Sequence, residues 1–515
     1  MATRLDSAGA EFLANQAAMQ ERAGRIGEAL ASITEAFGAQ PKRGDWAHRA
    51  GLLLLRCGRY REAVAMQRRA VALLPKSAMI QHDLGLALFR DGQFDQAAAC
   101  FERSHALEPH LPVHLVHLAI TRERLRDTTG AKAAAFKALE LDPSHGPAMI
   151  VIGESLLREG KAREAIEMGE RGLGLPLPPL IIARGHHLVA RAWEKLGEWD
   201  KAFEAHMRCN QVVYERGDGA AALAVDIEVR MRNMRREGLA ERFARWAAEA
   251  PTNTPDPVFL CGFPRSGTTL IEQVMSVFRG LATNDEQANA GIVLEDMERK
   301  RPGTLAEDLA DVLDALPPDR VRAYRTMFWE EIIRRMPDYK ASGKVTAIDK
   351  QPLRLMDIGV VQRVFPRARM LVMIRDPRDV CLSALFQNFD PNPAMARFLT
   401  VETTGRFYAE VMSFWLEMRP KITMPYMEVR YEDLVKNFES ETKRIASFLG
   451  VEWTEAVNRF DEAAKARAVT SASYNAVTER INERSLGRWR AYRSHLGPVL
   501  EAVRPIVEAY GYEPD

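Results

Sequence analysis

Cysteine is scarce in this chain: five in 515 residues, at positions 57, 100, 209, 261 and 381. An odd, scattered set excludes a disulfide framework and fits reduced thiols in a cytoplasmic protein. Long apolar runs are missing, so no transmembrane segment is expected. The opening Met-Ala-Thr-Arg-Leu-Asp-Ser has no apolar core of a secretion signal. Net charge is nearly absent as well, with 71 Lys and Arg against 70 Asp and Glu, or +1. Such a balance draws no nucleic acid to the surface as a whole, and any anion must be held by a local arrangement. The remaining composition, 47% hydrophobic and 27% charged, is that of globular protein. The length exceeds what one core supports and predicts two or three domains.

The first part of the chain is periodic. Pro41, Pro75, Pro109 and Pro143 recur every 34 residues. Gly24, Gly58, Gly92 and Gly160 keep the same register, with Arg126 at the missing step. Ala29, Ala63, Ala97, Ala131 and Ala165 do so too. Glycine ends a first helix, proline ends a second, and a small alanine lets the two approach closely. The pattern resembles the tetratricopeptide repeat, and about six units are expected between residues 10 and 210. Phe94 and Phe101, Tyr60 and Ala70, and a shifted unit with Gly197, Trp199 and Ala202 fit it. Such arrays bind peptide or protein on a concave face, or serve only to pack on a neighbour, and both uses stay open. His110, His114 and His117 have the spacing of one helix face, which is possible metal spacing. No Cys or carboxylate completes the set, so they read as surface or groove histidines. Residues 211–254 lose the period and read as a charged helical connector, closed by the proline-rich Pro251 to Pro257.

Beyond it, Pro257 to Leu270 reads as an apolar strand, a glycine-flanked loop and a helix start. That junction aims backbone N–H groups and a helix N-terminus at one point and makes an anion site. Gly262 and Gly267 fit a GxxxxG phosphate loop, but Thr268 stands where an NTPase has lysine, and the positive charge sits at Arg265. A second strand ends at Asp349 and Lys350, a third at Arg375, and a fourth runs from Tyr426 to Arg430. Asp376 suits a helix N-cap and Pro377 the first helical position. Apolar strands alternating with helices predict a parallel sheet covered on both faces, with ligands beyond the strands' carboxyl ends. Arg265, Lys350 and Arg375 lie at such ends and suit a ligand with several phosphates. The expected fold is an α-solenoid of tetratricopeptide repeats, then an α/β P-loop-like domain with a mostly parallel central sheet over residues 255–515.

The segments Pro264-Arg-Ser-Gly-Thr-Thr269, Ile348-Asp-Lys-Gln-Pro352 and Arg375-Asp-Pro-Arg-Asp-Val-Cys-Leu-Ser-Ala-Leu385 resemble the sulfotransferase family, particularly its tyrosylprotein branch. Thr470 to Tyr474 with Gly487-Arg-Trp-Arg490 is similar to that family's C-terminal cofactor loop. The likeness runs over roughly residues 255 to 500, and a repeat array before such a domain is a known arrangement among bacterial relatives. It implies sulfuryl transfer from 3′-phosphoadenosine-5′-phosphosulfate to a hydroxyl or amine, without a metal. By position, Arg265, Ser266, Gly267, Thr268 and Thr269 match the 5′-phosphosulfate loop, Arg375 and Ser383 the 3′-phosphate pair, and Arg488 a further cation on that side. Glu286 matches the branch's base, with Asp285 beside it as the alternative. Lys350 and Ser473 match groups that stabilise charge on the bridging oxygen. Ala288 stands where the branch has a substrate-contacting arginine, which speaks against peptide-tyrosine specificity. The acceptor therefore stays open among a peptide or protein, a saccharide, a lipid and a small phenol. A P-loop kinase or NTPase, and a repeat scaffold carrying an inactive domain, are the competing readings.

Overall fold

The computed structural model describes residues 6–215, 228–229, 231–252, 254–283, 290–300, 303, 309–336, 339, 346–389, 394–465 and 483–514. The chain divides into two compact units, Met1–Ala205 and His206–Asp515. The periodic region forms helical hairpins. Ser7–Arg22 pairs with Ile26–Ala39, Gly44–Arg56 with Tyr60–Leu73, and Ala78–Arg90 with Phe94–Leu107. Pro112–Arg124 then pairs with Thr128–Leu141, Gly146–Arg158 with Ala162–Leu173, and Pro179–Lys195 with Trp199–Glu215. The periodic alanines are all fully buried, as the close approach of paired helices requires. Gly24, Gly58, Gly92, Gly160 and Gly197 take φ between +71° and +81° at the tight turn inside each hairpin. Where glycine is missing, Arg126 itself adopts φ +62°, a conformation that crowds an ordinary side chain.

The histidines of this unit depart from expectation. His110 precedes the helix Pro112–Arg124 and is exposed. His114 is buried, its Nδ1 2.9 Å from Nδ1 of His82 on the neighbouring hairpin. The His117 ring lies 4.8 Å from that of His82 and stacks on Phe101. Burial pushes the His82 imidazole down to about 3 and that of His117 to about 4, so both are neutral packing groups.

The second unit is built on one five-stranded sheet: β1 (Val258–Gly262), β2 (Leu281–Thr283), β3 (Thr346–Lys350), β4 (Arg369–Ile374) and β5 (Tyr426–Arg430). The spatial order is β2-β3-β1-β4-β5, and every pairing is parallel. Every residue of β1 is buried, as expected of a central strand covered on both faces. Leu260 packs on one face with Ile271, Val274, Ile348 and Leu371. Phe259 packs on the other against Phe328 and Phe365. The chain enters β1 through a fixed segment, because the buried Arg325 donates to Thr254 Oγ1 and Asp256 Oδ1, and Trp329 Nε1 donates to the Pro255 carbonyl. After β5 come two helices, Tyr431–Lys436 and Phe438–Leu449, interrupted at Asn437.

Candidate functional site

Three adjacent strands end at one place, and each delivers a cation. β1 leads into the loop carrying Arg265, β3 ends in Lys350, and β4 is followed by Arg375. Phe263 anchors the start of the loop. It is buried, and its ring meets those of Phe398, Phe407 and Tyr408 at 4.8–5.6 Å. The loop then turns tightly, with the Ser266 N–H donating to the Phe263 carbonyl at 3.0 Å and Arg265 at φ +72°. Gly267 caps the helix Thr268–Met275 at φ +106°. A Cβ there would lie 2.5 Å from Cδ2 of Tyr431, so glycine is required twice over, by conformation and by space.

The loop residues are joined to the neighbouring strands. Arg265 Nε donates to Ser383 Oγ at 3.0 Å. Arg375 donates to the Arg265 carbonyl at 3.1 Å and to the Ser485 carbonyl at 2.6 Å, and its guanidinium lies 4.6 Å from the centre of the Tyr431 ring. Lys350 Nζ donates to Thr269 Oγ1 at 3.2 Å and pairs with Glu272 at 2.8 Å. Arg265, Thr269, Lys350, Arg375 and Ser383 are thus brought together, and the groups expected at two separate phosphate sites form one contiguous patch. Among the described residues, Ser266 Oγ and Arg375 Nε are buried there with no hydrogen-bond partner. Buried polar atoms are ordinarily satisfied, and both face the chemistry an anion supplies. Arg488 opens a short 3-10 helix after Gly487, its guanidinium 5.7 Å from the centre of the Phe386 ring. Asp285, Glu286, Ala288 and Ser473 lie outside the described residues.

As expected from the sequence, Asp376 caps its helix through the Arg378 N–H, and it pairs with Arg378 rather than Arg375. Other supporting residues escaped the sequence reading. The buried Asp379 accepts from the backbone N–H groups of Gly487 and Trp489 at 2.6 and 2.9 Å, fastening the C-terminal segment to the end of β4. Burial raises the Asp379 carboxyl above its usual range, against the pull of Arg375 and those N–H groups. Tyr431 touches the loop glycine and Arg375, and its hydroxyl lies 3.0 Å from Ser485 Oγ. Glu432 accepts from the Asp376 N–H and the Tyr512 hydroxyl and so ties the turn after β5 to the start of the helix after β4. Cys261, inside β1, is fully buried, and burial pushes its thiol well above the usual range, so it is no nucleophile.

The architecture is an α/β domain with a parallel sheet that follows, in sequence, a helical repeat array. Comparison with known proteins gives the domain its class. A sulfotransferase-family model matches residues 257–455 and a tetratricopeptide-repeat model residues 78–111. The chain therefore carries a sulfotransferase-family domain and tetratricopeptide repeats. It is similar to an uncharacterised protein of Aquifex aeolicus (strain VF5), 23% identical over 77% of this chain and 50% of that protein. The alignment thus spans half the length of that relative. It is also similar to protein-tyrosine sulfotransferase 2 of Gallus gallus, 24% identical over 52% of this chain and 71% of that one. Among solved structures, PilW, a type IV pilus biogenesis factor, is 19% identical over 38% of this chain and 90% of its own, with a TM-score of 0.34. Among the described residues, no helix is long and apolar enough to cross a membrane.

Proposed function

We propose that residues 255–515 transfer a sulfuryl group from 3′-phosphoadenosine-5′-phosphosulfate to a hydroxyl acceptor, and that the repeat array over residues 10–210 binds the acceptor or a protein partner. The observation that carries the proposal is the meeting of Arg265, Lys350 and Arg375 at the ends of β1, β3 and β4 around a glycine-flanked loop. Arg265, Ser266, Gly267, Thr268 and Thr269 hold the 5′-phosphosulfate through backbone N–H groups, hydroxyls and the helix N-terminus. Arg375 and Ser383, with Arg488, hold the 3′-phosphate. The acceptor hydroxyl attacks sulfur in line. Its proton passes to Glu286, the new S–O bond forms, and the bond from sulfur to the 5′-phosphate oxygen breaks. Arg265, Lys350 and Ser473 take up the charge developing on that oxygen, and adenosine 3′,5′-bisphosphate leaves. Protein tyrosine is one acceptor class consistent with the curated relatives, and Ala288 argues against reading the relatives' specificity across unchanged.

The test is calorimetric titration of the full chain with adenosine 3′,5′-bisphosphate and, separately, with ATP and Mg²⁺. Tight, metal-independent binding of the bisphosphate is expected. Preference for MgATP would replace this reading with a kinase or NTPase, and binding of neither would leave a scaffold. Glu286→Gln is expected to abolish turnover and keep bisphosphate binding, whereas unchanged turnover would remove Glu286 from the mechanism.

A further inference from the structure

Glu272 is a carboxylate in the middle of the buried helix Thr268–Met275, only 1% exposed. Its partner, Lys350, is fully buried at the last position of β3. The 2.8 Å ion pair between them stands beside the 3.2 Å bond from Lys350 to Thr269. Thr269 and Glu272 are three residues apart and share one helix face, so the ammonium is hydrogen-bonded to one and ion-paired to the other of two side chains on the helix that follows the loop. Among the described residues, the neighbouring Asp349–Arg354 pair, 3.4 Å apart, belongs to the opposite face of β3 because consecutive strand residues alternate. A buried Lys–Glu pair gains nothing over apolar residues of like volume, so stability alone does not account for it. Breaking it leaves an uncompensated buried charge, and a buried lysine without a counter-charge releases its proton readily.

We propose that Glu272 is a positioning residue: it keeps Lys350 protonated and fixes the ammonium against the loop hydroxyl of Thr269, where it meets the bridging oxygen of the donor. The inference rests on the transfer reading above. Glu272 acts only through Lys350 and touches no reacting atom.

Titration of the full chain with adenosine 3′,5′-bisphosphate across pH 6.5–10 tests it, with the wild type, Glu272→Gln, Glu272→Asp, Lys350→Met and the Lys350→Met/Glu272→Gln double variant. Wild-type affinity is expected to fall only at alkaline pH, where the lysine loses its proton. In Glu272→Gln that fall is expected at least about one to two pH units lower, as for a buried lysine deprived of its partner. Glu272→Asp keeps the charge and is expected to restore much of the wild-type profile. In the double variant, Glu272→Gln adds no further loss to that of Lys350→Met. If Glu272→Gln does not fold, the Glu272→Asp profile and the comparison of Lys350→Met with the double variant still decide. An unmoved pH profile, or losses that simply add, would overturn the positioning role while leaving the transfer reading intact. A wild type that binds no bisphosphate would bring down both.

Discussion

The sharpest consequence of the loop geometry concerns Gly267→Ala. An alanine there must adopt φ +106°, and its Cβ must fit 2.5 Å from Tyr431. Holding a side chain in so sparsely populated a conformation costs about 1–3 kcal/mol. Overpacking against a ring fixed by Arg375 adds about 1–3 kcal/mol. The loop sits at the surface end of the sheet, so part of this strain can be relieved by its leaving the observed conformation. Binding an anion then has to restore that conformation. If about 3 kcal/mol is recovered in this way, affinity for adenosine 3′,5′-bisphosphate falls roughly a hundredfold, since each 1.4 kcal/mol is a factor of ten. Titration calorimetry reads the affinity and chemical denaturation reads the remaining loss of stability. Tyr431→Ala in the same chain removes the clash but not the dihedral strain. The double variant is therefore expected to lose less than the sum of the two single variants. A Gly267→Ala protein with affinity within threefold of wild type and unchanged stability would refute both the loop conformation and its link to anion binding.

Arg375→Lys keeps the charge but loses the planar fork that reaches two carbonyls while stacking on Tyr431. Loss of one or two charge-assisted bonds, each about 1.5–3 kcal/mol, is expected to weaken bisphosphate binding at least tenfold; equal affinity would show that only charge matters there. Gly58→Ala, at φ +71° with open space around it, isolates the conformational cost of a hairpin turn. A destabilisation of about 1–2 kcal/mol in urea unfolding is expected, and none would show that the turn relaxes. The array is expected to lose stability in acid. With His82 lowered to about 3, the unfolded chain takes up a proton near pH 6.5 that the folded chain refuses. That stability is complete above pH 6.5 and drains as pH falls towards 3, at up to about 1.4 kcal/mol per unit. Urea midpoints at pH 7.5 and 5.0 should differ less for His82→Gln than for wild type, and equal differences would contradict the neutral packed histidine.

The repeats were legible because their signal is local and recurs: a turn that needs positive φ selects glycine, and a helix–helix contact selects alanine, every 34 residues. The strand–loop–helix junction was legible for the same reason, since its glycines and the following helix lie within a dozen residues. The supports of the site were not, because their partners are remote in sequence. Arg375 meets Ser485 across 110 residues, and Asp379 meets Trp489 across the same span. Glu272 reads, with its neighbour Gln273, as an ordinary polar position of a mixed helix until the sheet order puts Lys350 beside it. The histidines misled in the opposite way. Their spacing put His114 and His117 on one helix, but His110 falls before its start, and the spacing could not report that His82, 32 residues before His114, packs against both.

Sheet order explains how so neutral a chain gathers three cations at one place. β1 is central, its neighbours β3 and β4 arrive from later and separate segments, and all three strands run the same way. Parallel strands place their carboxyl ends on one edge, so Arg265, Lys350 and Arg375 converge without being near in sequence. The convergence would be self-repelling if the cations were left bare. The structure meets them unequally: Lys350 has a full carboxylate in Glu272, while the Arg375 guanidinium directs its bonds to neutral carbonyls over an aromatic ring. Carbonyls orient a guanidinium without cancelling its charge, so Arg375 stays attractive to a phosphate. The carboxylate on Lys350 instead holds its ammonium in place where charge appears only as a bond breaks. Under the proposed transfer, binding strength and charge stabilisation fall to different strand ends, which is what a two-phosphate donor with one labile bond would require.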